Sequence, residues 1–384
     1  MIFTGTKIYA WSREDTLKQS GEYGGAVTTL LKYALENSFV DGVLNVHQGM
    51  DIYDATVELI ESPEKICSSS GSLHCGTLLI SKVVKEVLDK TNHKKLAVVV
   101  KGCDLMSLIE MEKRGVIDLN KTLLIGLNCG GTITPKTAID MIENKFGIEH
   151  SSVVNEKISK GHFLVFTKNG ETHSLPIDEL EDEGYGRRTN CRRCSYKIPR
   201  SADLACGNWG VIGEMAGKST FIEVCSHLGA TLVSNAIRDD VIETADVPKK
   251  GIEIREKIEQ SMISLSSKWR NENLATLSSN TWGIIEKETN RCIKCYACID
   301  RCPVCFKIKE EIKENTTMVP NGEVPPNPMF HIKRFSHISD SCVNCGQCEE
   351  LCPMDIPLSL FSHSIRIELD ATYNPKLGKP PYKN

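Results

Sequence analysis

The sequence predicts an α/β (α+β) domain over residues 1–285 followed by a small cysteine-rich domain over 286–384. Two patterns lead there: apolar strands alternate with amphipathic helices through the first part of the chain, and one cysteine run occurs twice near its end. With 384 residues, the chain can build two or three cores of ordinary size. A hydrophobic content of 40%, a charged content of 25% and a formal net charge of -4 argue against general affinity for nucleic acid or anionic membrane. The opening "MIFTGTKIYAWSRED" lacks the apolar core of a signal peptide, and no stretch reaches the roughly 18 apolar residues of a membrane span, so a cytoplasmic protein is expected. A reducing compartment keeps thiols reduced, so the 17 cysteines are expected to bind metal rather than to pair as disulfides.

In the first domain, "GAVTTLLKYALENS" puts Val27, Leu30, Leu31, Ala34 and Leu35 on one helical face, and "DGVLNV" follows as a strand. "TLLISKVVKEVLDKT" is a second helix leading to the strand "KLAVVV". "DLMSLIEMEKRG" and the strand "TLLIGLNC" repeat the unit, and Thr134-Pro135 caps the helix "KTAIDMIENKFG", which Gly147 stops. Such alternation implies a mostly parallel sheet covered by helices. "HFLVFTKNGETHSLPI" then reads as a hairpin about Asn169-Gly170, and "GIEIREKIEQSMISLSSKW" as a helix packed on the core or leading toward the cysteine-rich domain.

In that domain, Cys292, Cys295, Cys298 and Cys302-Pro303 spell C-x2-C-x2-C-x3-C-P, and Cys342, Cys345, Cys348 and Cys352-Pro353 repeat it. Three thiolates on a tight loop reach three corners of one [4Fe-4S] cube, and the fourth turns toward the neighbouring cube, as in bacterial ferredoxins. Cys292, Cys295, Cys298 and Cys352 are therefore assigned to one cluster, and Cys342, Cys345, Cys348 and Cys302 to the other. The competing reading is zinc, but a zinc knuckle uses two pairs and would leave thiolates over. Cys305 falls outside the pattern. The intervening segment Pro303 to Ser341, with "VPNGEVPPNPMF", reads as an exposed loop that either docks a partner or is a solvated insertion.

Cys103 in "VVVKGCDL" and Cys129 in "LIGLNCGG" each follow an apolar strand, at the carboxyl edge where open α/β sheets bind ligands. With Cys191 and Cys194 of "CRRC" they supply enough thiolates for a third cube, although free cysteines are also common packing residues and Cys206 competes for a place. In "SGEYGGAVTTLL", Gly24-Gly25 before a helix allows close approach of a phosphate or a planar ring, or is a plain turn.

Taken together, "SGEYGGAVTTLLKYALENSFVDGVL", "VVVKGCD", "LLIGLNCGG", "CRRCSYKIPRSADLACGNWG" and the doubled cysteine run resemble the F420 hydrogenase/dehydrogenase beta-subunit family along nearly the whole chain. The resemblance implies FAD, three [4Fe-4S] clusters and hydride exchange with coenzyme F420 as substrate. It makes Cys103, Cys129, Cys191 and Cys194 the expected ligands of a cluster next to the flavin. It also makes Gly24, Gly25, Thr28, Gly207 and Asn208 candidate FAD contacts. Lys101 and Lys160 become candidate positive groups near reduced flavin or its phosphates, and Arg187, Arg188, Arg192 and Arg193 candidates to meet anionic cofactors or a charged cluster. The chain departs from relatives in having Val-Lys-Gly-Cys where many read Gly-Thr-Pro-Cys. Within the family the motifs point to the formate dehydrogenase branch, with formate oxidised by a molybdo- or tungstopterin alpha subunit and a larger electron-transfer complex in view. A hydrogenase beta subunit, a flavin-free polyferredoxin and a zinc-stabilised scaffold are the competing readings.

Overall fold

The computed structural model describes residues 2–69, 71–76, 78–91, 95–277 and 280–373. Thr77, where the second predicted helix begins, and residues 374–384 of the predicted carboxy-terminal domain lie outside these. The described strands are β1 (Lys7–Ser12), β2 (Gly42–Gln48), β3 (Ala55–Ile60), β4 (Leu96–Val100), β5 (Thr122–Leu127), β6 (Val153–Ser159), β7 (His162–Thr167), β8 (Thr172–Pro176), β9 (Leu204–Gly207), β10 (Thr220–Val224) and β11 (Ile242–Asp246). Eight of them form one sheet in the order β11-β1-β10-β9-β5-β4-β2-β3, and β6-β7-β8 form a second.

The large sheet corrects the expectation of mostly parallel strands. Only β2/β4, β4/β5 and β5/β9 pair in parallel, and the remaining neighbours run antiparallel. Connection length accounts for β2/β3, joined by residues 49–54, too few for the helical crossover a parallel neighbour needs, whereas β1 pairs with β10 and β11 from a distant part of the chain. The predicted helices appear at Ala26–Glu36, Ser81–Lys90, Gly102–Lys113 and Pro135–Met141. The Thr134 hydroxyl accepts from Thr137 N at 3.1 Å, as a helix cap should, and Gly147 ends the following π-helical turn at φ 65°.

Alternation along the central strands feeds two cores. Ala97, Leu123, Ile125, Leu204 and Cys206 face the helices Ala26–Glu36 and His227–Arg238, whereas Leu96, Val98, Val100 and Leu124 face Gly102–Lys113. The hairpin β7–β8 forms as expected with Gly170 at φ 85°, and β6, which has no strong turn signal before it, adds a third strand.

The helix Lys249–Ala275 does both things expected of it. With 27 residues it extends about 40 Å. Near its start the buried Arg255 donates to Glu223 Oε1 at 2.5 Å and to the Trp209 carbonyl at 3.1 Å, and its guanidinium lies 4.5 Å from the Phe221 ring centroid. In its last turn Leu274 packs against the core of the carboxy-terminal domain, and Leu277, just beyond its end, joins that core.

That core is built on Ile312, Val319, Phe330, Phe335, Ile338 and Phe361. The segment Pro303 to Ser341 is therefore not one exposed loop. It contains the helices Ile308–Glu314 and Pro328–Ile338, the second started by Asn327 as cap and Pro328 at its first position. Only the proline-rich stretch between them is irregular, because prolines there interrupt backbone hydrogen bonding while Phe330 and Phe335 still have a core to fill. No helix among the described residues is long and apolar enough to cross a membrane.

The cysteine-rich domain docks through a polar seam. Asn190 Nδ2 donates to the Asn344 carbonyl at 3.1 Å and Asn344 Nδ2 returns a bond to the Asn190 carbonyl at 2.9 Å. Arg193 donates to Asn273 Oδ1 and Ser359 Oγ, each at 3.0 Å, Thr189 Oγ1 donates to Glu349 at 2.9 Å, and Arg188 pairs with Glu350. Gly346, at φ 75°, lies so close that a Cβ would stand 2.4 Å from Asn190 Cγ.

Gly346→Ala is expected to cost about 1–3 kcal/mol, because it combines a left-handed backbone with a clash at the seam. Thermal unfolding together with limited proteolysis checks this, the expected sign being earlier release of the carboxy-terminal fragment. Arg255→Met is expected to cost about 3 kcal/mol, the low end for breaking a buried pair, since Arg200 still reaches Glu223 at 2.8 Å. Burial works against the Glu223 charge, but the two arginines outweigh it and hold its carboxyl below the ordinary 4.5. A depressed carboxyl stabilises the fold above that ordinary value, and the contribution is lost as pH falls through the lower native value. Urea unfolding below pH 4.5 should therefore narrow the gap between Arg255→Met and the wild type.

Candidate cofactor cavity and metal centres

A cavity of about 520 Å³ opens where the carboxyl ends of β4, β5 and β9 meet the start of the helix Ala26–Glu36, and it is closed by β6–β7 and by Ile258, Met262 and Leu265 of the long helix. Its size falls within the roughly 300–1,000 Å³ of ordinary cofactor pockets, and its place is the ligand edge of an open sheet. Gly25, Thr28, Lys101, Gly207 and Asn208 of the predicted contacts line it, as does Cys129.

Gly24 and Lys160 are not among the lining residues. Gly24, at φ 77°, serves backbone packing instead: a Cβ there would meet the Lys218 carbonyl oxygen at 2.2 Å. Lys160 sits exposed at φ 49° in the turn between β6 and β7. Gly207 lines the cavity and also packs tightly against protein, since a Cβ would stand 1.4 Å from Asn128 Oδ1.

The cavity also holds residues that sequence reading passed over. Glu22 lies inside the quoted glycine stretch, yet its two carboxylate oxygens are buried and accept no hydrogen bond from the described residues, and Asn128 Oδ1 is in the same state. Unsatisfied buried acceptors beside a cavity fit a bound polar molecule that donates to them. His74 Nδ1 lies 2.8 Å from Glu156 Oε2; burial opposes its charge, but the carboxylate prevails and raises its pKa. Glu22 carried a signal in its glycine neighbours, whereas nothing local in the sequence links His74 to Glu156.

Beside the cavity, Cys103, Cys129, Cys191 and Cys194 come together. Cys103 is within electrostatic reach of Cys129 and Cys194, and Cys129 of Cys191 and Cys194. Glycines permit it. A Cβ on Gly102 would lie 2.4 Å from the Tyr196 carbonyl oxygen, drawing Cys103 toward Cys194, and one on Gly131 would lie 3.2 Å from Cys191 Cβ, drawing the Cys129 loop inward. Cys206 is not part of this group: alternation along β9 turns it into the core, where its charged neighbours are Arg255, Cys225 and Glu223. Lys101 bonds Asp104 at 2.7 Å and faces Cys103 and Cys129; burial opposes its charge, but the Asp104 carboxylate, the largest of the opposing causes, helps to outweigh it and keeps its pKa raised.

The carboxy-terminal cysteines pair across the two motifs. Cys292 faces Cys298, Cys295 and Cys352, and together with Tyr296, Phe330 and His331 these thiols line a small cavity. Cys342, Cys345 and Cys348 all face Cys302. Cys305 is buried and donates to Cys302, and this hydrogen bond is the chief cause that holds the Cys302 thiol below its ordinary range. Burial pushes Cys129, Cys292 and Cys342 up to about 11 and Cys345 up to about 12. Such thiols keep their protons at neutral pH unless a cation takes the proton's place, which is the chemistry iron supplies. Among the described residues no three His, Cys, Asp or Glu side chains converge as one mononuclear ion would require. A four-iron cube asks for something else, one thiolate at each of four separated corners.

The four arginines of "GRRTNCRRC" are all engaged. Arg187 pairs with Glu181 and lies 4.6 Å from the Trp269 ring centroid, and Arg192 donates to the Glu181 carbonyl at 3.1 Å. Arg193 belongs to the seam. Arg188 faces Cys191 and Cys103 on one side and Cys345 on the other, and so joins the amino-terminal cysteine group to the second motif.

Two family models for the coenzyme F420 hydrogenase/dehydrogenase beta subunit match the chain, that of its N terminus over residues 7–85 and that of its C terminus over residues 93–250, and residues 288–356 match a 4Fe-4S dicluster domain. The chain is 44% identical to the F420-dependent formate dehydrogenase subunit beta of Methanocaldococcus jannaschii, over 94% of this chain and 93% of that one. It is 45% identical to the F420-dependent formate dehydrogenase 1 subunit beta of Methanococcus maripaludis, over 93% and 91%. Its fold is similar to a chain of the F420-reducing [NiFe] hydrogenase complex from Methanosarcina barkeri, with a TM-score of 0.62 and 21% identity, covering 70% of this chain and 91% of that chain. The chain belongs to the coenzyme F420 hydrogenase/dehydrogenase beta-subunit family.

Proposed function

We propose that this chain is the F420-reacting subunit of a cytoplasmic formate dehydrogenase, taking residues 1–285 as the FAD and F420 domain and residues 286–384 as an electron relay. The observation that carries the reading is continuity: Cys129 lines the cavity, its three partner cysteines lie beside it, and Arg188 connects that group to the second motif. FAD, when bound, supplies the conversion between the hydride of F420 and single electrons.

The chain's own residues have the remaining tasks. Thr28, Gly25 and Asn208 bound the space for the flavin, Lys101 offers positive charge near it, and Glu22 offers a buried acceptor. Cys103, Cys129, Cys191 and Cys194 hold the first cube. Cys342, Cys345, Cys348 and Cys302 hold the next, and Cys292, Cys295, Cys298 and Cys352 the last, where exposed Cys295 faces outward. This order is supported by Arg188 facing Cys345, while the charged neighbours of Cys292 are all within its own set. Formate oxidation belongs to a molybdo- or tungstopterin alpha subunit, in keeping with what the relatives from Methanocaldococcus jannaschii and Methanococcus maripaludis are named for.

Reconstituted wild-type chain should hold about 12 irons. Cys302→Ala should reduce this to about eight and remove the signal of one cube, and Cys206→Ala should leave it at about 12, measured by iron assay and electron paramagnetic resonance. Loss of iron in Cys206→Ala as large as that in Cys302→Ala would reject the assignment. The reconstituted chain should also reduce F420 with an artificial donor and yet not oxidise formate. Formate oxidation without a partner would overturn the division of labour, absence of bound flavin would favour a pure polyferredoxin, and a copurifying nickel–iron subunit would favour a hydrogenase.

A further inference from the structure

Arg334, on the helix Pro328–Ile338, is the largest unexplained charge among the described residues. Its side chain is fully buried, at 0% exposure, and Nε and both terminal nitrogens have no hydrogen-bond partner among those residues. Its charge faces Cys298 from the first motif's set and Cys348, Cys305 and Cys302 from the second motif's side, and its guanidinium lies 5.7 Å from the Phe335 ring centroid. No carboxylate is among these neighbours. The nearby His331 is also buried and lines the small cavity with Cys298 and Cys352.

A buried guanidinium without acceptors is costly, and the fold does not need one to fill the space between two helices. The groups that would satisfy its five N–H donors are sulfurs of the two cubes that its neighbouring thiols hold. Each cube with its thiolates is anionic and gains a further negative charge on reduction. A fixed cation with N–H groups aimed at the sulfurs stabilises the reduced form more than the oxidised form. No bond in the protein forms or breaks; one electron enters a cube from its neighbour in the relay.

We infer that Arg334 is a shared tuning residue of the two carboxy-terminal clusters, donating to sulfurs of both and setting their reduction potentials jointly. The inference rests on the reading of these eight cysteines as two cubes, and adds which residue determines how readily electrons enter them. A positive charge common to both raises the two potentials together, so both clusters become easier to reduce while the driving force between them is preserved.

The test uses the full chain reconstituted with iron and sulfide, as wild type, Arg334→Met and Arg334→Lys, with potentials read by titration under electron paramagnetic resonance and iron counted in each sample. In Arg334→Met, both carboxy-terminal clusters are expected to become at least tenfold harder to reduce, a drop of about 59 mV for one electron, while the amino-terminal cluster is unmoved. Arg334→Lys, which keeps the charge but loses the fork, should fall between the two. Full iron with unchanged potentials in Arg334→Met overturns the proposal, as does a shift confined to one cluster. Should Arg334→Met lose iron, Arg334→Lys decides: wild-type potentials there, or loss of both cubes there too, make Arg334 a residue of assembly and reject the tuning role. Failure of the underlying reading is seen separately, as a wild-type chain that takes up no cubane iron.

Discussion

The reciprocal pair between Asn190 and Asn344 is the constraint on which the rest of the structure depends. Each amide satisfies the backbone carbonyl of the other residue, so neither segment can shift without exposing two buried polar groups. Asn190 precedes Cys191 and Asn344 precedes Cys345. One contact therefore fixes the spacing between the cysteine group of the α/β domain and that of the relay domain. Gly346 is required for the same reason, because a side chain would occupy the space Asn190 needs.

Charge in this region follows the cysteines. Arg188 lies where the amino-terminal group meets the second motif, Arg334 where the second motif meets the first, and Lys101 where the amino-terminal group meets the cavity. Each is a cation among buried thiols. In the proposed relay these cations lower the cost of placing anionic cubes in a protein interior. The long helix Lys249–Ala275 holds these parts in one frame, since it is tied to the sheet through Arg255, closes the cavity with Met262 and ends in the relay core.

The cavity uses the glycines differently from a simple phosphate cradle. Gly24 and Gly207 bring protein backbone against protein, and Gly25 and Gly207 border the open space. Glu22 and Asn128 bring buried acceptors to the lining of that space, and Val46, Val99 and Leu127 bring apolar surface to it. A flat, amphipathic ring system that carries donors matches this lining better than a bare anion, which would leave the acceptors unsatisfied.

Much was legible in the sequence because it is local. The helices and strands around Cys103 and Cys129 follow from hydrophobic periodicity, and the spacing within each cysteine run already implied that Cys302 would turn toward the other motif. What the sequence could not determine was non-local. The antiparallel flanks of the sheet include the pairing of β1 with β10 and β11, which brings together segments far apart in the chain and leaves no local pattern. Cys206 was excluded from the amino-terminal group only by the side of β9 on which it falls, and Glu156 and His74 met only through the fold. In the sequence Arg334 falls within the segment Pro303 to Ser341 that read as an exposed loop. Tertiary packing buried it among thiols from both motifs, because a residue's electrostatic surroundings are set by which distant segments share its space.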